Sequence, residues 1–218
     1  MNVADALAKR KTIRAFTDEG VDDATIRELL VRASRAPSGG NVQPWRIYVL
    51  NGDAMSRFNE HVATSQIQDT PAYEIYPQSL KEPYRSSRFK VGEDMYALLG
   101  IAREDKQARI ARLMENFRFF GAPAAIFCYV DRQMGPPQWS DLGMFLQSFM
   151  LLATEAGLAT CPQEAWAARP DTVAAFLEPP GELMMFCAVA IGHADPDAPV
   201  NQLVSDRTPV DEFATFVR

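Results

Sequence analysis

The sequence predicts an α+β protein with mixed α/β layers, in which helices pack against a modest sheet. Apolar runs typical of strands are separated by segments with helical periodicity, and few hairpin signals join one strand to the next. The 218 residues, 47% of them hydrophobic and 23% charged, suit a single globular domain, 1–218, with a substantial core. No glycine-rich dinucleotide or phosphate loop follows a strand, which disfavours a Rossmann domain and a P-loop nucleotidase.

Periodicity and capping signals predict the elements in chain order. We expect helices over 3–9, from an N-cap at 22–23, over 54–61 and 104–116, from a cap at Ser140 to Gly157, and over 170–177. Continuous apolar runs predict strands over 45–50, 124–130 and 183–191. The segment from Cys161 to Glu164 is expected to be a loop.

Two segments lack regular periodicity. Residues 66–92 combine prolines, aromatic residues and a basic group with little repeat, as lids, binding loops and disordered linkers do; the aromatic residues argue against disorder and favour a mobile lid that covers a site. From about residue 193 the proline-containing tail is expected to form an extended arm.

Charge and cysteine content exclude several classes of function. A net charge of -6 argues against non-specific binding to nucleic acid or to anionic membranes. No signal peptide and no apolar run long enough to span a membrane is found. Three cysteines do not suggest a disulfide framework, so we expect a reducing, cytoplasmic location. The two histidines lie far apart, and no cluster has metal-ligand spacing, so no metal site is expected.

A basic cluster near the N-terminus is the first candidate site. Arg10, Lys11 and Arg14 lie within five residues, and Thr12 adds a hydroxyl. Such a cluster suits a phosphate dianion, to which Arg207 could add a distant cation. The alternative is a solvated basic face, with Arg207 paired to Asp206.

The run from Ala36 to Trp45 is the second candidate. It combines two prolines, two adjacent glycines and two side-chain amides, and it leads directly into a predicted strand. Either it is a rigid polar connector or it lets a planar ligand approach the backbone closely. No nucleophile and base stand out elsewhere, and that balance is typical of a protein whose cofactor carries the chemistry.

Taken together, these motifs resemble the FMN-dependent nitroreductase family over nearly the whole chain. The resemblance rests on Arg10-Lys11-Thr12-x-Arg14-x-Phe16, Ala36-Pro37-Ser38-Gly39-Gly40-Asn41-x-Gln43-Pro44-Trp45, Asn116-x-x-Phe119-Phe120-Gly121-Ala122-Pro123, Trp139-x-Asp141-Leu142-Gly143, Gly157-Leu158-x-Thr160-Cys161-Pro162-Gln163, Ile191-Gly192 and Arg207-x-Pro209. The first two motifs together are specific, and the later ones are weaker alone.

The resemblance implies a nitroreductase-like fold, with a mostly antiparallel sheet flanked by helices, in an intertwined homodimer. FMN would lie at the subunit interface, and the long helix beginning near Ser140 would form the dimer seam. Arg10 and Arg207 would hold the phosphate beside Lys11 and Thr12, and Arg14 would lie near the pyrimidine edge of the flavin. The remaining cofactor contacts would come from Pro37, Ser38, Gly39, Asn41, Gln43, Asn116, Cys161, Pro162, Gln163 and Glu164, the first four of them from the partner subunit.

The implied activity is transfer of electrons from NADH or NADPH through flavin N5 to a nitroaromatic, quinone or similar aromatic acceptor, by a ping-pong mechanism. Acceptor choice would depend on the lid residues Tyr73, Tyr76, Tyr84, Arg85 and Arg88. Reductive dehalogenation, flavin fragmentation and a non-enzymatic flavin-binding module are the alternatives. Two departures from the family pattern are Ser205, where many relatives carry a second basic residue, and Ala165, where many carry glycine.

Overall fold

The computed structural model describes residues 1–218, which fold around one antiparallel sheet. Its strands are β1 (Arg46–Asn51), β2 (Ala124–Asp131), β3 (Ala159–Gln163) and β4 (Leu183–Gly192). The strand order is β1-β2-β4-β3, and all three pairings are antiparallel. The central strands β2 and β4 are continuously apolar because both faces of the sheet are covered.

Eight helices surround the sheet. They are α1 (Val3–Lys9), α2 (Asp23–Ala33), α3 (Asp53–Thr64), α4 (Tyr84–Leu98), α5 (Lys106–Met114), α6 (Pro136–Glu155), α7 (Pro170–Leu177) and α8 (Val210–Phe213). The predicted N-cap of α2 is confirmed, since the carboxylate of Asp22 accepts from the backbone N of Thr25 at 2.8 Å. Short 3₁₀ turns span Gly39–Asn41, Glu115–Gly121, Glu164–Ala168 and Pro199–Gln202.

Two apolar layers bury the sheet. Along β2, side chains alternate between them: Ile126 and Cys128 pack towards α2 and α6, whereas Phe127 packs towards α3 and Trp166. Phe58 of α3 and Trp166 are completely buried in the second layer, with ring centroids 5.4 Å apart. The sheet is therefore the buried platform of the fold, and its strand β3 carries the predicted site residues from Cys161 to Gln163.

Two local predictions are wrong. The long helix begins at Pro136 with Gly135 as its N-cap, and Ser140 lies inside it, because proline is favoured in a first helical turn, where no N–H is needed. The segment from Cys161 to Gln163 is strand rather than loop. Pro162 is tolerated there because β3 is an edge strand, which does not need every backbone N–H.

The predicted lid segment divides into two parts. Its second half is not irregular, because α4 begins at Tyr84, although no residue of that helix is buried. Its first half is irregular but anchored: Asp69 accepts from the backbone N of Thr172 at 2.7 Å, and Ala72 N donates to Ala167 O at 2.8 Å.

The chain after Gly192 is mostly extended, interrupted by the 3₁₀ turn and by α8. Its exposed apolar side chains are Val204, Val210, Phe213, Phe216 and Val217. No helix of the chain has the length and apolar character needed to cross a membrane.

Candidate functional site

The predicted basic residues meet at one cavity. Arg10, Lys11, Thr12, Arg14 and Arg207 line a cavity of about 330 Å³, although Arg207 is almost two hundred residues away in sequence. None of these four cations takes part in an ion pair. Burial and then the charge of Arg207 lower the pKa of Arg10. The cavity therefore concentrates positive charge that no protein carboxylate neutralises.

Ser205 orients the distant arginine of this cavity. Arg207 Nη1 donates to Ser205 Oγ at 2.8 Å and to the carbonyl of Ser205 at 3.0 Å. Ser205 thus fixes the one cation that the arm supplies to this cavity. The guanidinium of Arg207 forms no ion pair with the carboxylate of Asp206. That carboxylate instead binds Lys90, with Oδ2 at 2.9 Å from Nζ.

Asn201 holds the segment that carries the other cations. Its Oδ1 accepts from the backbone N of Arg14 at 2.9 Å, its Nδ2 donates to Ala15 O at 2.8 Å, and its carbonyl accepts from Lys11 Nζ at 2.9 Å. Asn201 is 5% exposed and has no motif around it, so sequence reasoning missed it. On its other side the same segment meets β3, where Ile13 N donates to Thr160 O at 3.0 Å.

Strand β3 continues the site away from the cations. Cys161 and Gln163 are buried, whereas Pro162 and Glu164 are exposed, as expected for alternating side chains. Gln163 Nε2 donates to Asn116 O at 2.8 Å, which brings two predicted site residues together. Burial raises the pKa of Cys161 to about 12, so this thiol stays protonated and is a packing group rather than a nucleophile.

Tyr73 lies beside the end of β3. Its hydroxyl donates to the carbonyl of Phe186, and its ring centroid is 5.5 Å from that of Trp139. Burial, followed by the neighbouring Cys187 and Glu164, raises the pKa of Tyr73. Although Glu164 keeps exposed surface, partial desolvation raises the pKa of its carboxyl group as well. Tyr73 is therefore a fixed wall next to Glu164.

The other lid residues divide into two groups. Tyr76 lies under the guanidinium of Arg88, 4.1 Å from its ring centroid, and both residues line a cavity of about 540 Å³ that also includes Arg207. Tyr84 is 67% exposed, and Arg85 is paired with Glu82 at 2.7 Å. The structure thus brings Tyr76 and Arg88 towards the cations and leaves Tyr84 and Arg85 facing solvent.

The loop from Ala36 to Trp45 is ordered by its own hydrogen bonds, but it lies away from the cavity of the cations. The side-chain Oγ of Ser38 accepts from Gln43 N at 3.0 Å, and Asn41 O accepts from Gln43 Nε2 at 3.1 Å. The buried carboxylate of Asp141 on α6 accepts from Gly39 N at 3.2 Å. Pro37, like most of this loop, is exposed, and no residue of the loop lines the cavity of the cations.

The chain matches the model of the Nitroreductase family over residues 7–193. It is 32% identical to a chloronitrobenzene nitroreductase of Comamonas testosteroni, over 99% of this chain and 96% of that protein. It is 33% identical to a 4-nitrobenzoate reductase of Pseudomonas putida, over 97% and 93% of the two chains.

Solved structures give the same result. The FMN and NADPH-dependent nitroreductase NfnB from sphigopyxis sp. strain HMH superposes with a TM-score of 0.95 at 46% identity, covering 100% of both chains. The FMN-dependent nitroreductase NfnB from Mycobacterium smegmatis, in complex with NADPH, superposes with a TM-score of 0.92 at 29% identity, again covering 100% of both chains. Because the family model matches most of the chain and these relatives align over nearly all of it, the chain belongs to the nitroreductase family.

Proposed function

We propose that the chain is an FMN-dependent NAD(P)H oxidoreductase that reduces nitroaromatic, quinone or similar aromatic acceptors. The observation that carries this proposal is the cavity where Arg10, Lys11, Arg14 and Arg207 meet without a carboxylate. Four cations held together in this way repel one another unless an anion joins them, and a phosphate dianion matches their donors.

The residues beyond this cavity suit the rest of FMN. Strand β3 leads from Thr160, next to the cations, to Glu164, and its outward edge is not covered by a fifth strand. Gln163 Oε1 is buried there without a hydrogen-bond partner. Bound FMN would supply two-electron transfer between a nicotinamide and an acceptor. The protein would hold the phosphate with Arg10 and Arg207, present Arg14 to the pyrimidine edge, and limit access with Tyr73 and Tyr76.

The lid favours no particular charge on the acceptor. Arg85 and Lys90 are each paired with carboxylates, and Arg88 lies on an aromatic ring. Since two of these three cations are paired with carboxylates and all three side chains are exposed to water, which screens their charge, we expect nitrobenzene and 4-nitrobenzoate to be reduced with comparable efficiency. A large preference for the nitrobenzoate would show that the lid cations do attract an aromatic carboxylate.

A homodimer is part of the proposal. The outward face of α6 carries Ser140, Gly143, Met144, Gln147 and Leu151, and its one charged residue, Glu155 at the C-terminal end, is paired with Arg32; this largely uncharged face suits burial against a second copy. The exposed apolar arm and the preformed loop at Gly39 suit the same partner. In a dimer, the loop of one subunit could complete the site of the other.

The oligomeric state tests the dimer directly. We expect Met144→Arg to shift the wild-type dimer to monomer in light scattering coupled to size exclusion, because it buries a charge in the seam. The matched control is Val31→Arg on α2, an apolar residue that is 63% exposed. A wild-type monomer would contradict the proposed assembly.

Flavin binding and reduction test the function. The purified protein should be yellow, should bleach anaerobically with NADPH or NADH, and should recover its colour with nitrobenzene or a quinone. Arg10→Gln and Arg207→Gln should each weaken FMN binding about tenfold or more, as expected for a lost charge-assisted hydrogen bond. Arg57→Gln, on α3, is the matched control. A chain that takes up no FMN would refute the proposal, and a yellow protein that neither nicotinamide bleaches would favour a non-enzymatic flavin module.

A further inference from the structure

Arg112, in the last turn of α5, is a half-buried cation without a carboxylate partner. Its Nε is shielded from solvent and has no hydrogen-bond partner, and its guanidinium carbon lies 4.9 Å from the ring centroid of Phe120. Arg109, one turn earlier, instead binds both carboxylate oxygens of Glu93. One helix therefore carries one neutralised guanidinium and one that is not neutralised.

The uncompensated guanidinium contacts the backbone of the cation segment. Arg112 Nη2 donates to the carbonyl of Arg14 at 2.8 Å. The backbone N of Arg14 is held by Asn201 at 2.9 Å, so both of its backbone polar groups are tied to other parts of the chain. This pair of contacts fixes the point from which the Arg14 side chain departs.

Arg112 also adds charge next to Arg14. Burial and then the charge of Arg14 lower the pKa of Arg112, and the carboxylate of Glu115, which is itself paired with Arg118, opposes them only in part. Arg14 and Arg112 both act on the neighbouring thiol of Cys161. Placing two unneutralised cations side by side is costly, and one carbonyl and one aromatic face offset only part of that cost. A fold that needed only to anchor Arg14 could use a neutral donor. The extra charge therefore indicates an anionic group next to Cys161.

We propose that Arg112 is a positioning residue of the FMN site, which fixes Arg14 and adds positive charge that favours the reduced cofactor over the oxidised one. This inference rests on the proposed function, in which the pyrimidine edge of FMN lies beside Arg14. Reduction places negative charge on that edge, and a fixed neighbouring cation stabilises it.

Two measurements on purified protein test the inference. The dissociation constant of oxidised FMN comes from fluorescence titration, and the midpoint potential from anaerobic titration against a reference dye. We expect Arg112→Gln to bind oxidised FMN several-fold more weakly and to lose about a tenfold preference for the reduced cofactor. For a two-electron couple that loss lowers the potential by about 30 mV. Arg112→Lys should recover most of the potential because it restores the charge.

Controls separate charge from packing. The double variant Arg109→Gln with Glu93→Gln removes the neighbouring ion pair without changing the net charge, so the potential should not change. Arg112→Met keeps the apolar stem against Phe120 and serves as the neutral variant if the glutamine variant does not fold. An unchanged potential in the folded neutral variant, with FMN bound by the wild type, would overturn this inference alone. A wild type that does not bind FMN would overturn the inference together with the proposed function.

Discussion

Replacing Tyr73 by phenylalanine removes one hydroxyl from the wall beside β3 and keeps the ring. The hydroxyl donates to the carbonyl of Phe186, at a bulge in β4. Cys187 is opposite Cys128 and Met185 is opposite Tyr129, so Phe186 has no register partner in β2, and β3 does not reach it. The tyrosine thus satisfies a carbonyl that the sheet leaves free.

The expected cost follows from that carbonyl. Removing one partner of a buried hydrogen bond costs about 1–3 kcal/mol, because the remaining group stays desolvated. The ring contacts with Trp139 and Phe186 survive, so no cavity adds to this value. For a protein of this size, a loss of about 2 kcal/mol lowers the Tm by roughly 4–8 °C.

The pH dependence has a definite sign. Burial raises the pKa of Tyr73 above its unfolded value of about 10. The folded protein therefore keeps this proton at a pH where the unfolded chain loses it, so the stabilising contribution is complete below about pH 10 and is lost as the pH rises further. The difference between wild type and Tyr73→Phe should stay constant across neutral pH.

Thermal and denaturant unfolding at one fixed FMN concentration provide the assay, with the dissociation constant of FMN measured for each variant, because the stabilisation by FMN depends on that constant even at saturation. The matched control is Tyr84→Phe, whose side chain is exposed and makes no hydrogen bond through its hydroxyl. If both variants unfold at the same temperature, the hydroxyl of Tyr73 does not stabilise the bulge and the reasoning is refuted.

Three further outcomes are expected. Gly192→Ala should cost about 1–3 kcal/mol of stability in denaturant unfolding, because its Cβ would lie 2.6 Å from Pro123 Cδ, whereas Gly92→Ala, with open space around it, should not destabilise. Asn201→Ala should lower the stability by at least about 2 kcal/mol and weaken FMN binding, because it releases the backbone N of Arg14; unchanged FMN titrations would contradict the anchoring role. The three free cysteines, all buried with raised pKa values, should resist a thiol reagent in the native protein and react after denaturation, and rapid native labelling would show that the core opens.

Sequence patterns were most reliable where the determining contacts are local. The cap at Asp22 and the apolar runs of β2 and β4 depend on neighbours a few residues away, so their elements could be predicted. The cations from Arg10 to Arg14 could also be predicted as one cluster, because they follow directly after α1 and are neighbours in sequence. Local chemistry misled at Pro162, because whether proline fits a strand depends on which strands lie beside it.

By itself, then, the sequence determined six of the eight helices, three of the four strands, and the residue types that suit a phosphate and a flavin. Only the tertiary structure decided how they meet. Arg207, in the C-terminal arm, lines the same cavity as Arg10. Asn201 and Arg112, which are far apart in sequence, both hydrogen-bond to the backbone of Arg14. Tyr73 donates a hydrogen bond to the carbonyl at the bulge in β4. The physical reason is that these contacts join residues from about a hundred to almost two hundred positions apart, whereas capping and periodicity report only on near neighbours.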